Sequence, residues 1–157
     1  MKNVLTNLEI EIKNLKKDIE GISNSINIFD NDLLEEETLF ETQIELDKKQ
    51  KLYKKIKNFK MITRDDSENI DFLRIKDNKK DIEYSLFYFK ATTNFSILMY
   101  EGDKITNITK DKYTNSYIMN SKKEGEEKYR TYTKIGKDKQ NTYETLLELY
   151  KLMRDTK

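Results

Sequence analysis

The chain has no cysteine, no histidine and no proline, and only four glycines in 157 residues. Without cysteine there are no disulfides, no thiolate nucleophile and no thiolate-based metal site. Without histidine the commonest general base and the commonest metal ligand are both missing. The four glycines, Gly21, Gly102, Gly125 and Gly136, never fall close together, so no phosphate-cradling loop can form. Neither a Gly-x-Ser-x-Gly turn nor a Ser-x-x-Lys pair is present. Asp30-Asn31-Asp32 resembles the start of a calcium loop but lacks the glycine and the closing glutamate. No catalytic, cofactor-binding or metal-binding residues are assigned, and the chain is expected not to be an enzyme.

Charge of one sign is also lacking. The net charge is +1, so no overall field drives the protein onto nucleic acid or membrane. No apolar run approaches the roughly 18 residues of a membrane span. The opening MKNVLTNLEIEIKNLKKD is charged throughout, so a secretory signal is not expected. An intracellular protein without membrane contact is the expectation.

What the chain has is charge and periodicity. Charged residues make up 38% and hydrophobic ones 36%, a lean core that suits a long helix with a narrow apolar seam. The 10 Tyr and 7 Phe argue against disorder. Leu5, Leu8, Ile12, Leu15, Ile19, Ile22, Ile26, Phe29 and Leu33 follow at spacings of three and four, about four heptads. Isoleucine at a and leucine at d favour a parallel dimer, although Ile22 and Phe29 interrupt the d pattern. Acidic flanking positions such as Asp18, Asp30 and Asp32 have few matching cations, which leaves a homodimer or a heterodimer with a basic partner open.

Beyond Leu33 the register slips, and Leu39, Leu46, Tyr53 and Ile56 carry a second stripe. Asp32 with Glu35 resembles a helix cap, so the helix either continues with a local rewinding or restarts. A continuous or slightly interrupted rod is favoured by the absence of glycine and proline at the break. An antiparallel hairpin of residues 4–28 on 33–60 is the other arrangement, and would suit a chaperone or structural protein. Asp30 to Asp47 holds eight acidic residues and no basic one. Lys48, Lys49, Lys51, Lys54, Lys55, Lys57 and Lys60 then follow without an acid. This basic block is either an electrostatic contact for nucleic acid or a solvated helix end of dipole-compatible sign.

After Lys60 the period changes toward two. Ile70–Ile75, Ile82–Tyr88 and Phe95–Met99 read as an antiparallel meander, the last ending at Glu101-Gly102-Asp103. Both faces of the second stretch carry large side chains. Strand-like pieces follow at 105–108, 113–119 and 129–135. A helix from about Thr142 to Arg154 closes the chain, with Asn141 and Glu144 as a cap pair and Tyr143, Leu146, Leu147, Tyr150 and Met153 as its apolar stripe. Tyr84, Tyr88, Tyr100, Tyr113, Tyr117, Tyr129 and Tyr132 are candidates for base stacking, but arginine is scarce among them and packing is the simpler role.

The expected fold class is therefore α+β, with a coiled-coil dimerisation rod over 1–62 and a small antiparallel-sheet domain with a C-terminal helix over 63–157. KIKNFKMITRDDSENIDFLRIKDNKKDIEYSLFYF and the closing TYETLLELYKLMRD resemble the end of the rod, first strands and terminal helix of coiled-coil-plus-RWD adaptors. Two groups share this layout: the small centromere-proximal subunits of the four-protein outer-kinetochore complex, and the monopolin globular subunit. The resemblance implies an RWD-like head, a non-enzymatic role in chromosome segregation at the kinetochore, nuclear localisation and protein partners within a larger assembly. The proline usual in the strand-to-helix connection of that family is absent here, and the strand-rich 104–136 departs from it.

Overall fold

The computed structural model describes residues 1–28 and 33–155, with side chains described outside 25–35. The chain divides at Lys57 and Asn58 into a helical unit, Lys2–Lys57, and a sheet unit that takes in Asn58–Lys157 and Met1.

In the helical unit, α1 spans Lys2–Ile28 and α2 spans Leu33–Ile56. They run antiparallel. Lys49 Nζ lies 2.6 Å from Glu11 Oε2, and the Tyr53 hydroxyl donates to Glu9 Oε1 at 2.6 Å, so residues rising along one helix meet residues falling along the other. The chain thus reverses, in place of the continuous rod over 1–62, and takes the hairpin arrangement. A narrow stripe on each helix is the physical reason. Leu5, Leu8, Ile12, Leu15, Ile19 and Ile22 form the less exposed side of α1, and Leu39, Leu46, Tyr53 and Ile56 that of α2. Two such stripes on one chain can cover each other without a second chain. Phe29 lies outside the described residues, as do the side chains of Ile26 and Leu33. So does Asp32 of the proposed cap, along with the Asp30-Asn31-Asp32 run.

The sheet unit is a meander of seven antiparallel strands in chain order: β1 (Phe59–Asp66), β2 (Ile70–Asp77), β3 (Ile82–Phe89), β4 (Asn94–Glu101), β5 (Lys104–Lys110), β6 (Tyr117–Lys123) and β7 (Arg130–Tyr132). α3 (Lys137–Asp155) follows. The α+β class, the antiparallel sheet and the closing helix are as expected. Connections are tight: Gly102 at φ 58° turns β4 into β5, and Asp81 at φ 55° serves the β2–β3 turn. There Asp77 caps the turn, its Oδ1 accepting from the backbone N–H of Lys79 at 2.9 Å.

The central row of one sheet face runs Leu73–Leu86–Ile97–Ile108–Met119 across five strands. Its first four members are buried, as are Tyr143, Leu146, Leu149, Tyr150 and Met153 of α3. Alternation at period two and a 3.6-residue stripe thus meet in one core. α3 is fixed on this face by tyrosines. The Tyr143 hydroxyl donates to the Phe95 carbonyl at 3.0 Å, and the Tyr150 ring stacks on Tyr88 with centroids 5.1 Å apart. The helix begins at Lys137, five residues before the expected start, with Asp138 in its first turn. Glu144 is consequently not a capping residue and is turned to the sheet.

Thr106 is 1% exposed, and its Oγ1 has no hydrogen-bond partner among the described residues. A buried hydroxyl without a partner costs about 1–3 kcal/mol. Thr106→Val keeps the β-branched shape that fits a strand, so urea unfolding should show a stabilised sheet unit, by on the order of 1 kcal/mol.

Candidate binding site

The opposite face of the sheet has no helix of this unit upon it. The register places Phe72, Phe87, Ser96, Thr109 and Ile118 in one row across β2–β6, with Ile70, Phe89 and Asn94 in the row beside it. On the other side lie Leu98, then Tyr100 and Ile105. Phe72 and Phe87 approach with ring centroids 5.1 Å apart, and Phe87 stacks on Phe89 at 6.4 Å. Phe89 is 38% exposed, while the other large residues of this face are half-buried.

Small residues lie between the large ones. Ser85 of β3 and Ser96 of β4 are buried between the larger side chains of this face. Asn107 Nδ2 donates to Ser96 Oγ at 2.8 Å and to the Ile97 carbonyl at 3.1 Å, so this polar group is satisfied within the face. At one border, Arg74 and Glu83 pair across β2 and β3 at 2.5 Å, with the Arg74 guanidinium 5.9 Å from the centre of the Tyr100 ring. At the other end a cavity of about 430 Å³ opens among Phe89, Ser96, Thr109, Lys112, Tyr113 and Ile118. An apolar, aromatic centre with a polar border and an adjoining pocket has the anatomy of a protein-binding surface.

Titratable groups cluster instead along the edges of α3. The Tyr150 hydroxyl donates to Asp71 Oδ2 at 2.6 Å, and Lys90 Nζ lies 3.2 Å from the other carboxylate oxygen. Burial of Asp71 opposes its ionisation, but the hydrogen bonds from Tyr150 and Lys90 and the charges of Lys90 and Arg64 outweigh it, holding the carboxyl below its ordinary value. Glu144 has a parallel arrangement, accepting from the Tyr117 hydroxyl and pairing with Lys110 at 3.2 Å. Its desolvation is likewise overcome by Tyr117, Lys110 and Lys151, and its pKa is lowered. Burial, then the bond to Glu144, pushes the Tyr117 hydroxyl up to about 12. Each cluster joins helix to sheet through hydrogen-bonded, ion-paired carboxylates.

The residues singled out in the sequence fall elsewhere. Of the heptad set, Leu5, Leu8, Ile12, Leu15, Ile19, Ile22 and Ile26 lie on α1, Leu33 opens α2 of the same chain, and Phe29 is outside the described residues. Of the basic block, Lys49 is committed to Glu11 and Glu45, and Lys51 to Asp47. Lys54 and Lys55 occupy the last turn of α2, where cations complement the helix dipole. Lys60 belongs to β1. Lys57 lies in the turn between them, so the block is divided among a helix, a turn and a strand. Of the tyrosines considered for base stacking, Tyr84 is buried, Tyr88 and Tyr117 pack against tyrosines of α3, and Tyr113, Tyr129 and Tyr132 are exposed. Phe72, Phe87 and Phe89 were not recognised as a site, although their spacing on two adjacent strands was the available signal.

Among the described residues no helix is long and apolar enough to cross a membrane. Comparison with protein-family models, curated proteins and solved structures finds no match for this chain.

Proposed function

We propose that this protein is a non-enzymatic adaptor whose sheet unit binds a protein partner across the face carrying Phe72, Phe87 and Phe89. The aromatic cluster on the face opposite α3, half-buried at Phe72 and Phe87 and exposed at Phe89, is the observation that carries this reading. Monomeric proteins rarely leave a contiguous apolar patch uncovered unless it serves an interaction. Aromatic residues flanked by a satisfied polar border are the usual energetic centre of such an interface. The helical hairpin, with its acidic and basic runs, supplies a second surface of different chemistry, as an adaptor requires. A chromosome-segregation assembly is the setting that the sequence resemblance suggests, supported by helical segments preceding the sheet and by the closing helix; the adaptor role does not depend on it.

A Phe87→Ser, Phe89→Ser double variant tests the binding face. These side chains lie outside the core under α3, so the far-ultraviolet circular dichroism spectrum should be unchanged. Proteins that co-purify with the wild-type chain from its native cells should be lost, because truncating central aromatic contacts costs about 2 kcal/mol or more, a factor of roughly thirty in affinity. Undiminished co-purification by the folded variant would refute this assignment.

A further inference from the structure

The outer edge of β1 points to a second interaction, with another copy of the same chain. β1 is eight residues long, pairs with β2 on one side, and among the described residues has no strand on the other. Lys60, Met61, Ile62, Thr63, Asp65 and Asp66 are all exposed. An edge of this length is a template for strand addition unless its chemistry forbids it.

The backbone phase of the edge follows from two hydrogen bonds at its ends. The Asn78 N–H donates to the Asn58 carbonyl at 3.1 Å, and the Ser67 N–H donates to the Ile70 carbonyl at 2.9 Å. Antiparallel ladders alternate, so Lys60, Thr63 and Asp65 also turn their backbone groups to β2, and Phe59, Met61, Arg64 and Asp66 turn theirs outward. The change of parity comes from the bulge between Met61 and Thr63. The bulge also changes the faces. Lys60 lies opposite Lys76 and Asp65 opposite Phe72, so Lys60 and Asp65 share one face of the sheet, which residues five apart in a regular strand would not.

We infer that two copies pair through β1 in antiparallel register about an axis between Ile62 and Thr63. In that register Phe59 faces Asp66 of the second copy and Met61 faces its Arg64, and all four residues have outward backbone groups. Lys60 of each copy faces Asp65 of the other on a shared face, at the closely spaced pairs where opposite charges interact best. The strand is basic at its start and acidic at its end, so antiparallel pairing matches charge at both ends. Moving the register by one residue places Lys60, whose groups point inward, against Asp66, whose groups point outward, and breaks both matches. The second copy would extend the aromatic face into a neighbouring one without using Phe72, Phe87 or Phe89, so this inference does not rest on the proposed partner site.

Sedimentation equilibrium of the full chain over a range of concentrations tests it. The wild type should be a reversible dimer. Lys60→Glu and Asp65→Lys should each raise the dissociation constant roughly tenfold or more by placing like charges opposite each other twice per dimer. The Lys60→Glu, Asp65→Lys double variant should restore the dimer. Met61→Pro, which removes an outward N–H and spares the bonds to β2, should give a folded monomer. A monomeric wild type, a dimer indifferent to these changes, or a double variant that stays monomeric would each overturn the pairing.

Discussion

Replacing Ile97 by alanine should destabilise the sheet unit by about 2–5 kcal/mol, the range for deleting a large aliphatic side chain from a packed core. Ile97 is fully buried, at the middle of the row Leu73–Leu86–Ile97–Ile108–Met119, on the face that receives α3. Neighbours on both sides are held by strand pairing and cannot close the space. The contrasting change is Leu98→Ala, one residue along the same strand but on the opposite face, where the side chain is half-buried. It should cost less, about 1 kcal/mol, in proportion to the part of its side chain that is covered. Urea unfolding monitored by tyrosine fluorescence distinguishes the two. Equal losses would mean that both faces are covered to the same extent, which would contradict an open binding face.

Removal of the two carboxylates that fasten α3 should produce the second largest effect, and it should depend on pH. Asp71 and Glu144 have folded pKa values below their ordinary ones of 3.8 and 4.5. As pH falls through the ordinary range, the unfolded chain takes up protons that the folded chain does not, so stability falls. Their contribution is complete above the ordinary carboxylate range and is gone once pH drops below both depressed values. An Asp71→Asn, Glu144→Gln variant should be less stable at neutral pH, since Tyr150 and Lys90, and Tyr117 and Lys110, lose a charged acceptor. A charged hydrogen bond to Asp71, 12% exposed, contributes about 1.5–3 kcal/mol. Those to Glu144, 44% exposed, contribute less because solvent screens them. The difference from wild type should shrink steadily on acidification. At the alkaline end the sign reverses. The Tyr117 hydroxyl, raised from 10.0 to about 12, keeps its proton in the fold while the unfolded chain loses it. Stability from this group is present below pH 10.0 and is lost as pH rises toward about 12. Thermal unfolding of both proteins across the pH range checks each arm; parallel curves would exclude Asp71 and Glu144 as the acid-sensitive fastening.

The strands with regular alternation were legible in the sequence, because one covered face imposes period two on the residues that meet α3. Ile70–Ile75 and Ile82–Tyr88 fall within β2 and β3, and the turn at Gly102 stands where its backbone needs a positive φ. β1 was not recognised. Its bulge breaks the alternation at Met61, Ile62 and Thr63, and its lysines continue the basic run of α2, so it read as the end of a rod. α3 was found from its stripe, but Asn141 and Glu144 suggested too late a start because Glu144 serves the sheet and not the helix end. The hairpin was legible only as one of two options. Both a long rod and a folded pair bury the same narrow stripes, and periodicity does not distinguish one chain from two. The aromatic face was hidden for a related reason: Phe72 and Phe87 satisfy a strand pattern whether or not anything covers them.

The measurement that tests the adaptor role most directly is site-specific photocrosslinking in the native cell. A crosslinking side chain at Phe89, on the open face, is compared with one at Glu148, exposed on α3. The proposed role predicts a discrete protein adduct at position 89 that the Phe87→Ser change suppresses, and none of the same mass at position 148. Adducts confined to position 148, or no adduct at position 89 in a folded protein, would contradict the assignment of this face to a partner.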